Sequence, residues 1–368
     1  MKESPVSMTR SVNRRSLIKG GLLAGGAASL GAGLLNKKAF AQGGNNLSSG
    51  DIAILRFVAA AELIESDLWT QYTELGGVSD GPQNTYQQAF EFLDGDGPQY
   101  ITSNTIDEIS HATFLNGYLE FRGADPVNFD EFRILQGSTA SGAENIGRLT
   151  NLMHLNVDTS WYIRYRSTTN PDFGANYPQA IHINNRPAIP VTDADFNNPN
   201  HIQAIANTAA FHFGSIEQGG TSLYASLAQK ASHPQVLEVL LGIGGDEVTH
   251  FLEWVDFAGN AVKPADDGTF DFAGRTSPVN DTGLIFADFT KKGPLFQPNL
   301  IFPVPAEFIH PSLPRCATVR PITDKFGGAR AAVAGWIEGG LFAGQSKTFL
   351  HTLNRMAAEA DAAQRKDI

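Results

Sequence analysis

The sequence predicts a mainly α protein built around four long helices, grouped in two pairs by one long crossover and followed by an irregular and helical C-terminal extension. Three observations predict it. Apolar residues recur at helical intervals in four long stretches, a loop-rich segment separates the second stretch from the third, and the tetrad Glu-x-x-His occurs twice, at Glu108–His111 and Glu247–His250.

The N-terminal segment stands apart from this pattern. Asn13-Arg14-Arg15-Ser16-Leu17-Ile18-Lys19 is a twin-arginine box, followed by a Gly- and Ala-rich apolar run from Gly21 to Leu35. Lys37, Lys38 and the small-x-small triplet Ala39-Phe40-Ala41 follow, as at a cleavage site, with the cut expected after Ala41. The run is shorter than the ~20 apolar residues of a spanning helix. Residues 1–41 therefore read as a removable signal, which implies a periplasmic or secreted protein without stable membrane insertion after cleavage.

The first long helix is expected from Asp51. Ile52, Leu55, Phe57, Val58, Leu63, Leu68 and Tyr72 recur mostly at helical spacing, Ser49 or Asp51 supplies a cap, and Gly76-Gly77 ends the element. Asn84 to Arg122 continues the pattern with a break at Asp94-Gly95-Asp96-Gly97-Pro98, giving a short helix, a turn and a longer helix from about Ser103. Residues 125–198 are rich in Pro, Gly and Asn and read as the crossover, with short extended pieces at His154–Asp158, Tyr162–Tyr165 and Ala180–Ile183. Helical spacing returns over Asn200–Ala231, capped by Asn197 or Asn200, and over His233 to about Gly259. Residues 260–325 are irregular, and a last helical region, broken near Gly339-Gly340 and Gly344, runs from Gly328 to Lys366. Three parts result: the signal at 1–41, the helical body at 50–259 and the extension at 260–368.

Charge and cysteine content narrow the classes of function. The chain carries a formal net charge of −11, and residues 1–41 hold seven Lys/Arg against one Glu, so about −17 remains on the rest. Such a surface disfavours nucleic acid and anionic lipid as partners, since both demand basic patches. Cys316 is the only cysteine, which rules out an intrachain disulfide; it reads as a buried, inert thiol.

Chemistry concentrates in six residues. Residues three apart on a helix share a face, so Glu108 with His111, and Glu247 with His250, each aim a carboxylate and an imidazole at one point. Glu62 lies in the apolar run Phe57–Ile64, and Glu217 lies in Phe211–Gly220, neither with a Lys or Arg one turn away. A carboxylate on a buried face is costly unless a cation neutralises it, and a metal ion is the simplest such cation. The set Glu62, Glu108, His111, Glu217, Glu247 and His250 thus gives one Glu from each of two helices and Glu-x-x-His from each of the other two, a known di-iron and di-manganese ligand pattern.

Around these residues the chain resembles the ferritin-like superfamily, in the group that includes plant desiccation-related proteins and their bacterial and fungal relatives. Ala61-Glu62-Leu63-Ile64-Glu65-Ser66-Asp67-Leu68-Trp69 is similar to that group's first-helix motif, and Ile106–Leu115 to its second-helix motif. The resemblance spans about 50–123 and 199–257. It implies a ferritin-like four-helix bundle, with Glu62 and Glu217 as terminal carboxylates, Glu108 and Glu247 as bridges, and one histidine per metal. Carboxylate and imidazole donors suit two iron or manganese ions.

Other candidates read more plainly. Glu65 reads as an extra ligand, or more readily as a neighbour of the ligands or a surface residue, and Asp107 and Asp246 either support the ligands or face solvent. Trp69, Tyr72 and Tyr224 read as core or as redox relays, and the Gly pairs near Glu217 and before Asp246 as places for close helix approach or as merely tolerated. His154, His182, His201, His212, His233, His310 and His351 read as caps or surface residues. Two functions fit: an oxidoreductase acting on dioxygen or peroxide, or a non-enzymatic stress-protective or cell-envelope protein. A metal-free polar network of the same six residues is the third reading, and a homo-oligomer stays open.

Overall fold

The computed structural model describes residues 47–164, 178–261, 309–317 and 328–365, together with the backbone of 270–272 and 275–277. The twin-arginine segment, and most of 260–327, lie outside these residues. The protein is mainly helical, and no helix among the described residues is long and apolar enough to cross a membrane.

Helix α1 spans Ser49–Gly76. Its cap is Ser48, one residue before the expected ones, because Ser48 and Asp51 close a reciprocal capping box: Asp51 N donates to Ser48 Oγ at 3.0 Å and Ser48 N to Asp51 Oδ2 at 3.3 Å. Helix α2 (Thr85–Leu93) is capped by Asn84, and α3 covers Gly97–Phe121. The long helix begins six residues before Ser103, because Pro98 fits the first turn, where no backbone donor is required.

Beyond the crossover, α4 is a single turn at Trp161–Arg164, α5 spans Pro199–Ala228 and α6 spans Pro234–Gly259. Asn198, and neither Asn197 nor Asn200, caps α5, accepting from the backbone N–H groups of Asn200 and His201. His233 caps α6. Helices α7 (Ala329–Glu338) and α8 (Lys347–Asp361) close the chain, separated by a turn through Gly339–Gln345.

The four long helices pack antiparallel to their neighbours. Ser66 Oγ bonds Glu108 O and Thr105 Oγ1 bonds Trp69 O, which runs α1 against α3. Trp254 Nε1 bonds Asn104 Oδ1 while His111 faces Asp246, which runs α3 against α6. Tyr224 bonds Glu62 and its Cβ lies beside Gly244, so α5 opposes both α1 and α6. Between them Trp69, Phe213 and Trp254 form one aromatic block, with ring centroids 4.7–5.4 Å apart. Full burial of each large apolar side chain stabilises the fold by about 1.5–3 kcal/mol. Helix α1 is buried almost all round, because α7 and α8 cover its outer face: Phe57 stacks on Trp336 and Gly50 abuts Ala363.

The crossover is anchored by polar contacts to α1. Buried Asp67 accepts from Leu149 N (3.0 Å), Thr150 N (2.9 Å), Thr150 Oγ1 (2.7 Å) and Arg133 Nη1 (2.5 Å). Buried Arg148 meets Glu74 at 2.5 Å. Two short antiparallel ladders stiffen the segment: β1 (Leu135–Gln136) with β2 (Gly147–Arg148), and β3 (Leu155–Val157) with β4 (Ile183–Arg186). The extended piece expected at Tyr162–Tyr165 is instead the turn α4 as far as Arg164, and Tyr165 lies outside the described residues. Ser160 N bonds Asp158 Oδ1 and Tyr162 N bonds Thr159 O, and this turn seats Trp161 over Gly214, where a larger residue would overlap the indole. Cys316 is exposed, not buried, because residues 309–317 are exposed throughout.

Candidate metal centre

The structure brings all six sequence-predicted residues into the space between α1, α3, α5 and α6. Glu62, Glu108, Glu217 and Glu247 have no exposed surface, and His111 and His250 are buried. Their donor atoms form two groups able to hold an ion: Glu62, Glu108, His111 and Glu247 in one, Glu108, Glu217 and His250 in the other.

Glu108 links the two. Its Oε2 lies 3.3 Å from His111 Nδ1 and its Oε1 lies 3.1 Å from His250 Nδ1. His111 Nδ1 is also 3.4 Å from Glu62 Oε2 and 3.8 Å from Glu247 Oε1, while His250 Nδ1 is 3.3 Å from Glu217 Oε2. One carboxylate thus presents an oxygen to each group, the geometry of a bridge. Glu247 joins the first group alone.

The outer nitrogens of the two imidazoles face carboxylates on the opposite helix. His111 Nε2 lies 3.1 Å from Asp246 Oδ2, and His250 Nε2 lies 3.4 Å from Asp107 Oδ2. A proton held on Nε2 by aspartate leaves the Nδ1 lone pair directed at the carboxylate cluster, as a cation would require. Asp107 and Asp246 themselves are partly exposed, so they support the histidines from the rim.

Three neutral side chains complete the surroundings, and their roles were not legible in the sequence. Asn104 Nδ2 donates to Glu108 Oε1 (2.8 Å) and Glu217 Oε1 (3.2 Å), and its Oδ1 accepts from Trp254 Nε1 (2.7 Å). The Tyr224 hydroxyl donates to Glu62 Oε1. The signal for Asn104 was its place one turn before Glu108 on the same face. Gly220 and Gly244 serve close approach, as one member of each Gly pair: a Cβ at Gly220 would overlap the Glu247 carboxylate, and one at Gly244 would press on Tyr224.

Several donors have no hydrogen-bond partner: Glu62 Oε2, Glu217 Oε2, both oxygens of Glu247 and His250 Nδ1. His250 Nδ1 approaches Glu108 Oε1 without the angle of a hydrogen bond, so that contact is electrostatic. Orphaned buried carboxylate oxygens are costly, and a pair of cations placed among them removes the cost. Without a cation the site compensates through protons. Burial raises Glu62 to about 7 against the opposing attraction of the His111 ring beside it. Burial first, then the surrounding carboxylates, pushes Glu247 and Glu65 well above the usual carboxylate range. Burial alone would depress His111, but its contacts with Glu108 and Glu62 and the charges of both carboxylates outweigh it and raise the ring to about 11.

Glu65 is buried, one turn beyond Glu62, and not at the surface. His212 is buried as well, its Nδ1 2.7 Å from the Tyr72 hydroxyl, and it stands outside both ion-sized groups. Trp69 and Tyr72 pack in the aromatic block, whereas Tyr224 touches Glu62. No family model, curated protein or solved structure matches this chain.

Proposed function

We propose that the chain is an exported, ferritin-like four-helix bundle that holds two iron or manganese ions and acts as an oxidoreductase on dioxygen or peroxide. The observation that carries this reading is the set of unpartnered buried oxygens on Glu62, Glu217 and Glu247, gathered around a Glu108 that offers one oxygen to each group. Six donors that include four carboxylates suit hard or borderline divalent and trivalent ions, and they lack the thiolates of closed zinc sites. The antiparallel packing of α1 with α3 and α5 with α6, joined by a long crossover, is the arrangement expected of such a bundle.

Bound, two such ions would supply redox equivalents and Lewis acidity. The chain's residues do the rest. Asp107 and Asp246 hold the imidazole tautomers, Asn104 fixes Glu108 and Glu217, and Tyr224 holds a hydroxyl proton on Glu62. The block of Trp69, Phe213 and Trp254 closes one end of the interior to water.

The test is elemental analysis of protein purified from its own periplasm or culture fluid without chelators, beside Glu108→Ala/Glu247→Ala. About two Fe or Mn per chain, lost in the variant, with consumption of dioxygen or peroxide, supports the reading. A folded protein without stoichiometric metal overturns it. A second reading, a non-enzymatic protective or cell-envelope protein, draws on the amount of chain devoted to wrapping α1, which the site itself does not require. Binding to an envelope component that is unchanged in Glu108→Ala would favour it.

A further inference from the structure

A cavity of about 650 Å³ opens on the far side of α1 and α5 from α3 and α6, walled by the β3–β4 ladder and α7. That volume lies in the range that holds small organic molecules. Its apolar surface comes from residues such as Ile64, Leu68, Val157, Ile183 and Trp336. Among the described residues its charged lining is acidic, from Glu65, Asp158 and Glu338, with no Lys or Arg.

Glu65 forms the link to the metal centre. It is 6% exposed, one helical turn after Glu62, and lies within electrostatic range of Glu62, Glu108, Glu217 and His250. Burial and the neighbouring glutamates favour its protonated form, and an ammonium placed at its carboxyl would stabilise the ionised one. His212 supplies a second polar contact. The buried Tyr72 hydroxyl has no other acceptor among the described residues, so it donates to His212 Nδ1, and the neutral ring carries its proton on Nε2. Burial holds that ring neutral, with its pKa lowered to about 3. The cavity therefore combines a carboxylate, an imidazole donor and the indole of Trp336, a surface on which aromatic and cationic groups pack well.

We propose that this cavity binds a small aromatic amine, with its ammonium at Glu65 and its ring against the apolar wall. The all-acidic lining selects amines over carboxylates and phosphates of the same size. Binding as such is independent of any metal. Its bearing on the proposed oxidoreductase, an organic ligand held one turn from Glu62, rests on that reading.

The experiment is calorimetric titration of the metal-free chain with tyramine and with 3-(4-hydroxyphenyl)propionate, which share a phenol and differ in the sign of charge. Tyramine is expected to bind one per chain and at least tenfold more tightly than the anion. Glu65→Gln should weaken tyramine about tenfold. Gly335 lines the cavity with open space beyond its Cα, so Gly335→Leu should abolish binding while leaving metal content unchanged. Absence of saturable tyramine binding, equal affinity for the two probes, or full affinity in Gly335→Leu would each overturn the proposal. The metal reading stands or falls separately, on metal stoichiometry.

Discussion

His111 on α3 and Asp246 on α6 face each other at 3.1 Å, and the pair is mirrored by His250 on α6 and Asp107 on α3 at 3.4 Å. Each aspartate immediately precedes a ligand glutamate on its own helix, yet it serves the histidine of the other. Supporting carboxylates of this kind contribute roughly 10–100-fold to metal affinity. Asp107→Asn and Asp246→Asn are therefore expected to weaken metal binding by about that factor, while two ions per chain are still reached at saturation. Competition against a chelator of known affinity measures it. Unchanged affinity in both variants would show that the aspartates do not hold the rings.

Gly220 is the place where α5 makes room for the Glu247 carboxylate, and any Cβ there overlaps it. Gly220→Ala should displace Glu247 and lower metal content below that of the parent. Its neighbour Gly219 has open space, so Gly219→Ala should keep full metal content and gain up to about 1 kcal/mol from helix propensity. Elemental analysis and urea unfolding of both variants separate a site effect from a general helix effect.

Asp67 is the anchor of the crossover. It accepts from two backbone N–H groups and the hydroxyl of Thr150, from Gln71 and from Arg133, without exposed surface of its own. Asp67→Ala removes the partner of all these donors and should cost about 3–5 kcal/mol, the range for breaking a buried pair. Denaturant unfolding reads the loss directly. A change below about 1 kcal/mol would mean that the crossover is held by its apolar contacts.

The buried Glu/His cluster was legible in the sequence because helical periodicity fixes which residues share a face. Glu108 and His111 could be paired without a structure, and so could Glu247 and His250. Glu62 and Glu217 stood out as carboxylates in apolar runs with no nearby cation. Asn104 did not stand out, and Tyr224 read only as core or a redox relay, since a neutral polar residue on a helix has many uses until the facing helix is known. The cavity was equally hidden, because its wall joins α1, α5, α7 and the β3–β4 ladder. Cys316 and the turn at Trp161–Arg164 show the same limit: burial and a single helical turn depend on what packs against them, and spacing carries little of that.

Protonation gives the last prediction a definite sign. In the metal-free chain the Glu62 carboxyl is raised from 4.5 to about 7, Glu247 is raised well above the usual carboxylate range, and His111 is raised from 6.5 to about 11. For each group the folded state holds a proton over a range where the unfolded chain has lost it. Stability from these groups is thus fully present below the unfolded values and declines as pH rises through the folded ones. The metal-free protein should accordingly unfold at lower urea concentration at pH 8 than at pH 5. Metal ions compete with the same protons, so their affinity should rise over this interval and their binding should release protons. The metal-loaded protein should then show the opposite trend, with its greater stability at pH 8. Urea midpoints at the two pH values, with and without metal, distinguish the cases. A metal-free midpoint that does not fall between pH 5 and pH 8 would mean that the buried carboxylates are balanced by something other than shared protons.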